Sequence, residues 1–200
     1  MIKVLIADDQ AMIRGAFAAL LSFEDDIQVV GEAARGDEVV AAVEKFTPDV
    51  VLLDIEMPGL SGIDAANELL RRYGVRVLIV TTFGRAGYVR RALDLGVHGF
   101  ILKDAPVEEL LQAIRDVYAG GHVVDPSLAT QSLFAGTNPL TTREQEVLRV
   151  ALTGLPVAEI AQRVFLTPGT VRNYLSSAIG KTGATTRMEA ARIAHSNGWL

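Results

Sequence analysis

The sequence predicts an α/β domain built on a doubly wound parallel sheet, followed by a small all-α helix-turn-helix domain. Two observations predict the first domain: short continuous apolar runs recur through residues 1–120, and helical apolar patterns separate them. Runs of this kind are typical of strands that are buried on both faces of a parallel sheet. A third observation predicts the second domain, because residues 139–200 show only helical patterns with start and stop signals.

Five strand and helix units are expected in the first domain. The strands are expected at 3–7, 27–33, 49–53, 75–81 and 99–102, and the helices near 10–23, 36–46, 61–72, 86–96 and 106–119. Right-handed crossovers arrange such units in the strand order 2-1-3-4-5, with the first and third strands at the switch point. Ser61, with Asp64 three residues later, is expected to cap the third helix.

Five polar side chains stand where the apolar strands end. They are Asp8, Asp9, Asp54, Thr81 and Lys103. The carboxyl ends of parallel strands open on one edge of the sheet, and ligands bind at that edge. We therefore expect three carboxylates, a hydroxyl and an ammonium in one cleft, a group that suits a divalent metal and a phosphoryl group. Each residue alone has a simpler explanation, since a lone aspartate at a strand end is commonly a helix cap and a lone lysine is commonly solvated.

Composition narrows the classes of protein. The chain has 200 residues, of which 50% are hydrophobic and 22% are charged, as in an ordinary globular protein. The absence of cysteine excludes disulfides, thiol catalysis and cysteine-based zinc sites. No apolar run is long enough to cross a bilayer, and the first residues do not resemble a signal peptide. We therefore expect a cytoplasmic protein without membrane insertion.

The net charge of -5 is unevenly distributed. Residues 1–122 contain 12 lysines and arginines against 19 acidic residues, whereas residues 123–200 contain 7 against 5. An acidic half and a mildly basic half indicate different partners, although chance variation in surface charge is the simpler explanation.

A linker is expected between the two domains, at 121–138. Gly120 and Gly121 end the fifth helix, and the residues that follow are mostly small and polar. A short helix is expected within the linker, at 126–134. The domains are thus expected at 1–120 and 139–200.

The second domain carries three helix-start signals. Thr141 and Glu144 have the spacing of a capping box, and Thr186 and Glu189 repeat that spacing before the last helix. A short helix from 156 to 164 is followed by a turn, after which Thr167 supplies an N-cap with proline at the first helical position. This order of elements is a helix-turn-helix.

The third helix of this domain has an apolar face and a polar face. Val171, Leu175 and Ile179 recur at core spacing, which leaves Arg172, Asn173 and Ser176 on the opposite face. An ordinary solvated face is the simpler explanation. As the second helix of a helix-turn-helix, it would instead enter the major groove of DNA, where Arg can pair with guanine and Asn with adenine. Thr167 and Thr170, near the helix start, are candidates for contacts to phosphate, and Lys181 is a candidate for added charge at the groove edge.

Several motifs together resemble a known family. The first half carries Asp8 and Asp9, LLDIEMPG at 52–59, Thr81, and GFILKD at 99–104; the second carries LTTREQEVL at 140–148, VAEIA at 157–161 and TVRNYLS at 170–176. The chain is therefore identified as a member of the NarL/FixJ family of two-component response regulators, with a flavodoxin-like receiver and a LuxR-type helix-turn-helix. TTFGRAGY at 81–88 and DIEMP at 54–58 are also similar to the DesR-like subgroup, which responds to membrane lipid state.

The resemblance implies roles for the residues of the cleft. Asp54 would accept a phosphoryl group from a sensor histidine kinase, and Mg²⁺ would be held by Asp8, Asp9, Asp54 and the Glu56 carbonyl. Thr81 and Lys103 would bind the phosphoryl group. Phe100 would be the switch aromatic, although burial in the core explains it equally well.

The same resemblance implies the partners and the class of protein. The phosphorylated receiver would dimerise and control binding to promoter DNA, with RNA polymerase a candidate partner. Dimerisation of the receiver and release of the output helices are both open as the route that couples the two halves. The protein would be a transcription regulator and not an enzyme.

Two rival functions remain open from the residues alone. One is a phosphohydrolase with Asp54 as its nucleophile, and the other is a constitutive DNA-binding protein whose first domain only dimerises. His98, His122 and His195 stand apart in the sequence and are expected to be structural.

The chain departs from the family pattern near the end of the recognition helix. Ala178, Gly180 and Thr182 stand where larger or longer residues are usual. We expect a less rigid helix end there, and the base preference does not follow from the resemblance.

Overall fold

Six parallel strands form the sheet of the first unit, in the order β2-β1-β3-β4-β5-β6. This computed structural model describes residues 1–82, 86–125, 128 and 138–200. The strands are β1 (Ile2–Ala7), β2 (Ile27–Ala33), β3 (Val50–Leu53), β4 (Arg76–Thr81), β5 (Gly99–Leu102) and β6 (Val123–Val124). The predicted α/β class and the order of the first five strands are confirmed.

The sixth strand corrects the prediction of five. Val123 and Val124 pair with Gly99 and Phe100, so part of the predicted linker at 121–138 belongs to the sheet. Two residues are too short to show a strand period in the sequence. The strand forms because the chain reverses after α5 and meets the open edge of β5, where β-branched side chains fit a pleated surface.

Helices follow the strands as predicted. They are α1 (Ala11–Leu21), a 3-10 turn (Gly36–Glu38) leading into α2 (Val39–Phe46), α3 (Gly62–Arg72), α4 (Ala86–Leu95) and α5 (Val107–Tyr118). Ser61 caps α3, since its hydroxyl accepts a hydrogen bond from the Asp64 N–H at 3.2 Å. All four residues of β3 are buried, which is the pattern of a strand covered on both faces.

The second unit described is helical. Its elements are α6 (Thr142–Ala151), α7 (Val157–Arg163), α8 (Pro168–Thr182) and α9 (Arg187–Ser196). Both hydrogen bonds of the predicted Thr141–Glu144 capping box are present, and Thr167 caps α8 as predicted. Thr186 caps α9 in the same way, but the Glu189 carboxylate returns to Thr185 rather than to the cap residue. The helix-turn-helix is formed by α7 and α8.

Two further observations complete the fold. The predicted helix at 126–134 lies outside the described residues, apart from Leu128. Among the helices that the structure describes, none has the length and apolar content that a membrane crossing requires.

Candidate functional site

The cleft begins with two buried aspartates on neighbouring strands. Asp8 follows β1 and Asp54 follows β3, and these residues are only 2% and 4% exposed. The Asp54 N–H donates to the Ala7 carbonyl at 2.8 Å, which extends the strand pairing to the edge of the cleft. Asp9 is exposed, and oxygens from the three carboxylates lie within 4.8 Å of one another. The structure therefore brings together the acidic residues that the sequence placed at strand ends.

Lys103 joins the two buried carboxylates. Its Nζ lies 2.6 Å from an Asp8 oxygen and 3.0 Å from an Asp54 oxygen, and its side chain is only 5% exposed. The Lys103 N–H also donates to the Thr81 carbonyl at 2.8 Å, so the ends of β4 and β5 stay in register. One cation thus partly neutralises two carboxylates in a site that water barely reaches.

Burial and Lys103 set the pKa values in the cleft. Burial raises the pKa of Asp54 above its ordinary value, and the Lys103 ammonium opposes this only in part. Burial alone would lower the pKa of Lys103, but hydrogen bonds to Asp8 and Asp54 outweigh it and raise that pKa. The lysine therefore stays charged.

Backbone contacts hold the two carboxylates in place. An Asp8 oxygen accepts from the Gln10 N–H at 2.9 Å, and an Asp54 oxygen accepts from the Ile55 N–H at 2.8 Å. Gly62 is required by the loop after Asp54, because a Cβ at this position would lie 1.8 Å from the Asp54 carbonyl oxygen. Sequence reasoning missed this glycine, since a close approach of backbone to backbone leaves no local signal.

Arg14 is a second residue that sequence reasoning missed. Its Nη1 donates to the Asp8 carbonyl at 2.7 Å, and its Nε pairs with Glu32 at 3.3 Å. The arginine ties α1 and β2 to the end of β1. Its place on the half-buried side of α1 was the available signal, because an arginine there needs a partner.

The donor set fits a hard divalent cation. Three carboxylates supply oxygen ligands at one edge of the sheet, and hard cations prefer oxygen. Glu56, whose carbonyl the sequence analysis added to this set, lies two residues after Asp54, and its side chain is exposed.

Thr81 and Phe100 occupy different surroundings. Thr81 is 3% exposed at the end of β4, whereas the neighbouring Thr82 is exposed. Phe100 is completely buried within β5. In this conformation it is a core residue.

The polar face predicted on α8 is exposed. Arg172, Asn173 and Ser176 are all exposed, while Val171 and Leu175 are buried in the helical core. Thr167 and Thr170 lie at the helix start, with their hydroxyl oxygens 2.9 Å apart. The first turn of α8 has no acidic residue.

Lys181 lies against a buried glutamate. Its Nζ is 2.7 Å from a Glu144 oxygen, and the other Glu144 oxygen accepts from the Ser177 hydroxyl at 2.6 Å. Burial would raise the pKa of Glu144, but hydrogen bonds from Lys181, Ser177 and Thr141 outweigh it and hold the pKa at about 2. Only the capping role of Glu144 was visible in the sequence, because Ser177 and Lys181 are more than 30 residues away.

The histidine expectation needs one correction. His98 and His122 do not stand apart in space, since their rings stack with centroids 5.7 Å apart. The His98 Nδ1 accepts from the Val77 N–H at 3.2 Å, and burial lowers its pKa. This pair lies at the start of β5, away from the strand ends that form the cleft.

Comparison with known proteins gives consistent matches. Residues 4–115 match the family described as the response regulator receiver domain, and residues 138–194 match the luxR family of bacterial regulatory proteins. The transcriptional regulatory proteins YvfU and DesR of Bacillus subtilis are each 45% identical, with full coverage of both chains. The crystal structure of the response regulator ChrA, from a heme-sensing two-component system, matches at 31% identity and a TM-score of 0.59. That match covers 100% of this chain and 98% of ChrA.

Proposed function

Because the chain belongs to the NarL/FixJ family of two-component response regulators, we propose that Asp54 is its phosphoacceptor and that a sensor histidine kinase is the donor. The observation that carries this proposal is the arrangement of Asp54, Asp8 and Lys103 at the carboxyl ends of the strands. A carboxylate oxygen of Asp54 attacks phosphorus and forms an acyl phosphate, while the phosphorus–nitrogen bond to the donor histidine breaks. The freed imidazole leaves with the electron pair of that bond.

Asp8, Asp9 and Asp54 would hold Mg²⁺, with the Glu56 carbonyl completing the set of protein ligands. When bound, the ion neutralises negative charge shared by the carboxylates and the incoming phosphoryl oxygens. In the present arrangement the Lys103 ammonium lies against both Asp8 and Asp54. Its ammonium therefore has to turn from Asp8 toward a phosphoryl oxygen once the transfer has occurred.

Thr81 and Lys103 couple the modification to a change of conformation. The Thr81 hydroxyl binds one phosphoryl oxygen and Lys103 binds another, and neither contact exists before transfer. Such differential contacts are what shifts a protein between two states. Phe100 would then occupy space that Thr81 leaves, although it is a buried core residue in the state described here.

The exposed face of α8 binds DNA. Arg172, Asn173 and Ser176 enter the major groove, and Thr167 and Thr170 approach phosphates at the start of the helix. Lys181 contributes charge at the groove edge only as far as its pairing with Glu144 allows.

Dimerisation strengthens binding to DNA, because one copy of a mildly basic domain neutralises few phosphates. The outward face of α1 offers a surface for a second receiver. The residues of this face are exposed and without charge: Met12, Gly15, Ala16, Ala19 and, just beyond the helix, Phe23. A dimer on paired half-sites would bind a promoter in the cytoplasm, where RNA polymerase is the next candidate partner.

In this proposal residues 1–120 form the receiver and residues 139–200 form the DNA-binding domain. The segment 121–138 connects them, and its first residues add β6 to the sheet of the receiver. The residue ranges of the two family matches, 4–115 and 138–194, support this division.

Labelling tests the phosphoacceptor. Purified protein incubated with Mg²⁺ and a small acyl phosphate is expected to take up one phosphoryl group per chain, and Asp54→Asn is expected to take up none. Asp64→Asn is a matched control on α3 that keeps the cleft intact. Uptake by Asp54→Asn equal to that of the parent would overturn the assignment, and rapid turnover of unrelated phosphate esters would favour a phosphohydrolase.

A further inference from the structure

Phe165 combines an unusual backbone conformation with almost complete exposure. It lies in the turn between α7 and α8, its φ is +55°, and its ring is 94% exposed. Of the large hydrophobic residues that the structure describes, none is more exposed. A side chain that is strained at the backbone and unburied contributes little to folding.

The turn itself does not require a phenylalanine. The Leu166 N–H donates to the Ala161 carbonyl at 2.9 Å, and the Phe165 N–H points to the Gln162 carbonyl at 3.4 Å. This pair of bonds is a Schellman motif, in which the left-handed residue is usually glycine. Leu166 packs on the helical core and therefore anchors the turn, whereas Phe165 does not.

Four other helix ends in the described chain provide an internal comparison. Helices α4, α5, α8 and α9 end with the same pair of hydrogen bonds. In those four the left-handed residue is Gly96, Gly120, Gly183 or Gly198. Among these five matching ends, the α7–α8 turn alone carries a side chain at the position where glycine would be less strained.

The surroundings of the ring point to a polyanion. Phe165 lies two residues before Thr167, which begins α8, and the exposed Arg163 lies two residues before Phe165. The first turn of α8 contains no acidic residue. In a helix-turn-helix the first helix crosses the DNA backbone and the second enters the groove, so the turn between them lies beside the backbone.

We propose that the Phe165 ring packs against the apolar face of a deoxyribose at the edge of the major groove. The contact orients α8 so that Arg172 and Asn173 meet base edges, and it carries no sequence information of its own. This inference rests on the proposed binding of DNA by α8. It adds a non-polar positioning residue to a surface otherwise described by charge and hydrogen bonds.

Phe165→Gly is the informative variant, because it converts the turn into the form that the other four helix ends adopt. The variant is expected to fold with an unchanged or higher urea midpoint, measured by the fluorescence of Trp199. Its affinity for a fluorescein-labelled duplex of mixed sequence, about four helical turns long, is expected to fall about tenfold. Phe165→Tyr keeps the ring and is expected to retain the parent affinity.

Two further readouts separate this role from others. The salt dependence of binding is expected to stay unchanged in Phe165→Gly, because the ring neutralises no phosphate. Arg172→Ala serves as the reference for the proposed function and is expected to bind the duplex more weakly.

The outcomes are distinguishable. Loss in both Phe165→Gly and Arg172→Ala supports the inference, whereas loss in Arg172→Ala alone overturns it and leaves DNA binding by α8 standing. No loss in either variant contradicts the proposed DNA surface itself. Unchanged DNA affinity with a lower mass of Phe165→Gly in light scattering would assign the ring to a protein interface and would also overturn the inference.

Discussion

Glu144→Gln tests how the helical domain holds its recognition helix. The pKa of Glu144 falls from its ordinary 4.5 to about 2 because hydrogen bonds from Lys181, Ser177 and Thr141 outweigh burial. At about 1.4 kcal/mol per unit of pKa, folding stabilises the charged form relative to the neutral form by roughly 3 kcal/mol.

We expect Glu144→Gln to lose somewhat less stability than is usual when one partner of a buried ion pair is removed. Glutamine keeps an acceptor oxygen but places an amide donor opposite groups that donate. The Lys181 side chain is 35% exposed, so its charge can rehydrate. We therefore expect the free energy of unfolding of the helical domain to fall by about 2 kcal/mol.

Trp199 makes the measurement specific. It is the single tryptophan of the chain and packs on the helical core, so urea denaturation followed by its fluorescence reports this domain. Glu146→Gln is the matched control on the same helix. Its ion pair with Arg143 is exposed and should contribute less than about 0.5 kcal/mol. Equal, small losses in both variants would refute the reasoning.

Three other predictions concern pH, the end of α8 and the switch. Because folding lowers the pKa of Glu144, the stability that its charged carboxylate contributes is complete above about pH 4.5 and is lost as the pH falls toward 2. Acid titration followed by Trp199 fluorescence should therefore show a steeper loss of stability in the parent than in Glu144→Gln. Gly180→Ala should stabilise the helical domain by about 0.5–1 kcal/mol in urea denaturation, because a Cβ at position 180 meets no atom within 4 Å. Gly183→Ala should destabilise the domain, because the backbone φ at position 183 is +66°. A higher urea midpoint for Gly183→Ala would contradict this account. Thr81→Ala should still be labelled at Asp54 but should lose the gain in DNA affinity on phosphorylation; retention of that gain would remove Thr81 from the switch.

The sheet was predictable because its strands are buried on both faces. Leu52 and Leu53 in β3 are no more than 1% exposed, and burial of this kind produces the continuous apolar runs visible in the sequence. The pairing of Val123 with Gly99 was not predictable, because two residues carry no period and the strand depends on an edge supplied by distant residues.

The helix starts were predictable because capping is local. Ser61, Thr141 and Thr167 each bond to an N–H three residues ahead, and the sequence shows both partners. The Glu189 carboxylate bonds to Thr185 rather than to the cap residue Thr186. Thr185 offers the carboxylate two donors, a backbone N–H and a hydroxyl.

The approach of two aspartates was predictable, but the arrangement of the groups around them was not. Strand ends place Asp8 and Asp54 on adjacent strands, so their proximity follows from the strand order. The position of Lys103 between them depends on side-chain conformation, which no sequence pattern encodes. The Glu144–Lys181 pair escaped for a similar reason, since it joins residues 37 apart in the chain.

We propose that a phosphoryl group on Asp54 controls the binding of DNA by α8. The affinity of one sample for promoter fragments selected with this protein is measured before and after labelling. The label is introduced with Mg²⁺ and an acyl phosphate. We expect labelling to strengthen binding and to raise the mass in light scattering, and we expect Asp54→Asn to show neither change. Full labelling of Asp54 with unchanged DNA affinity would contradict this proposal.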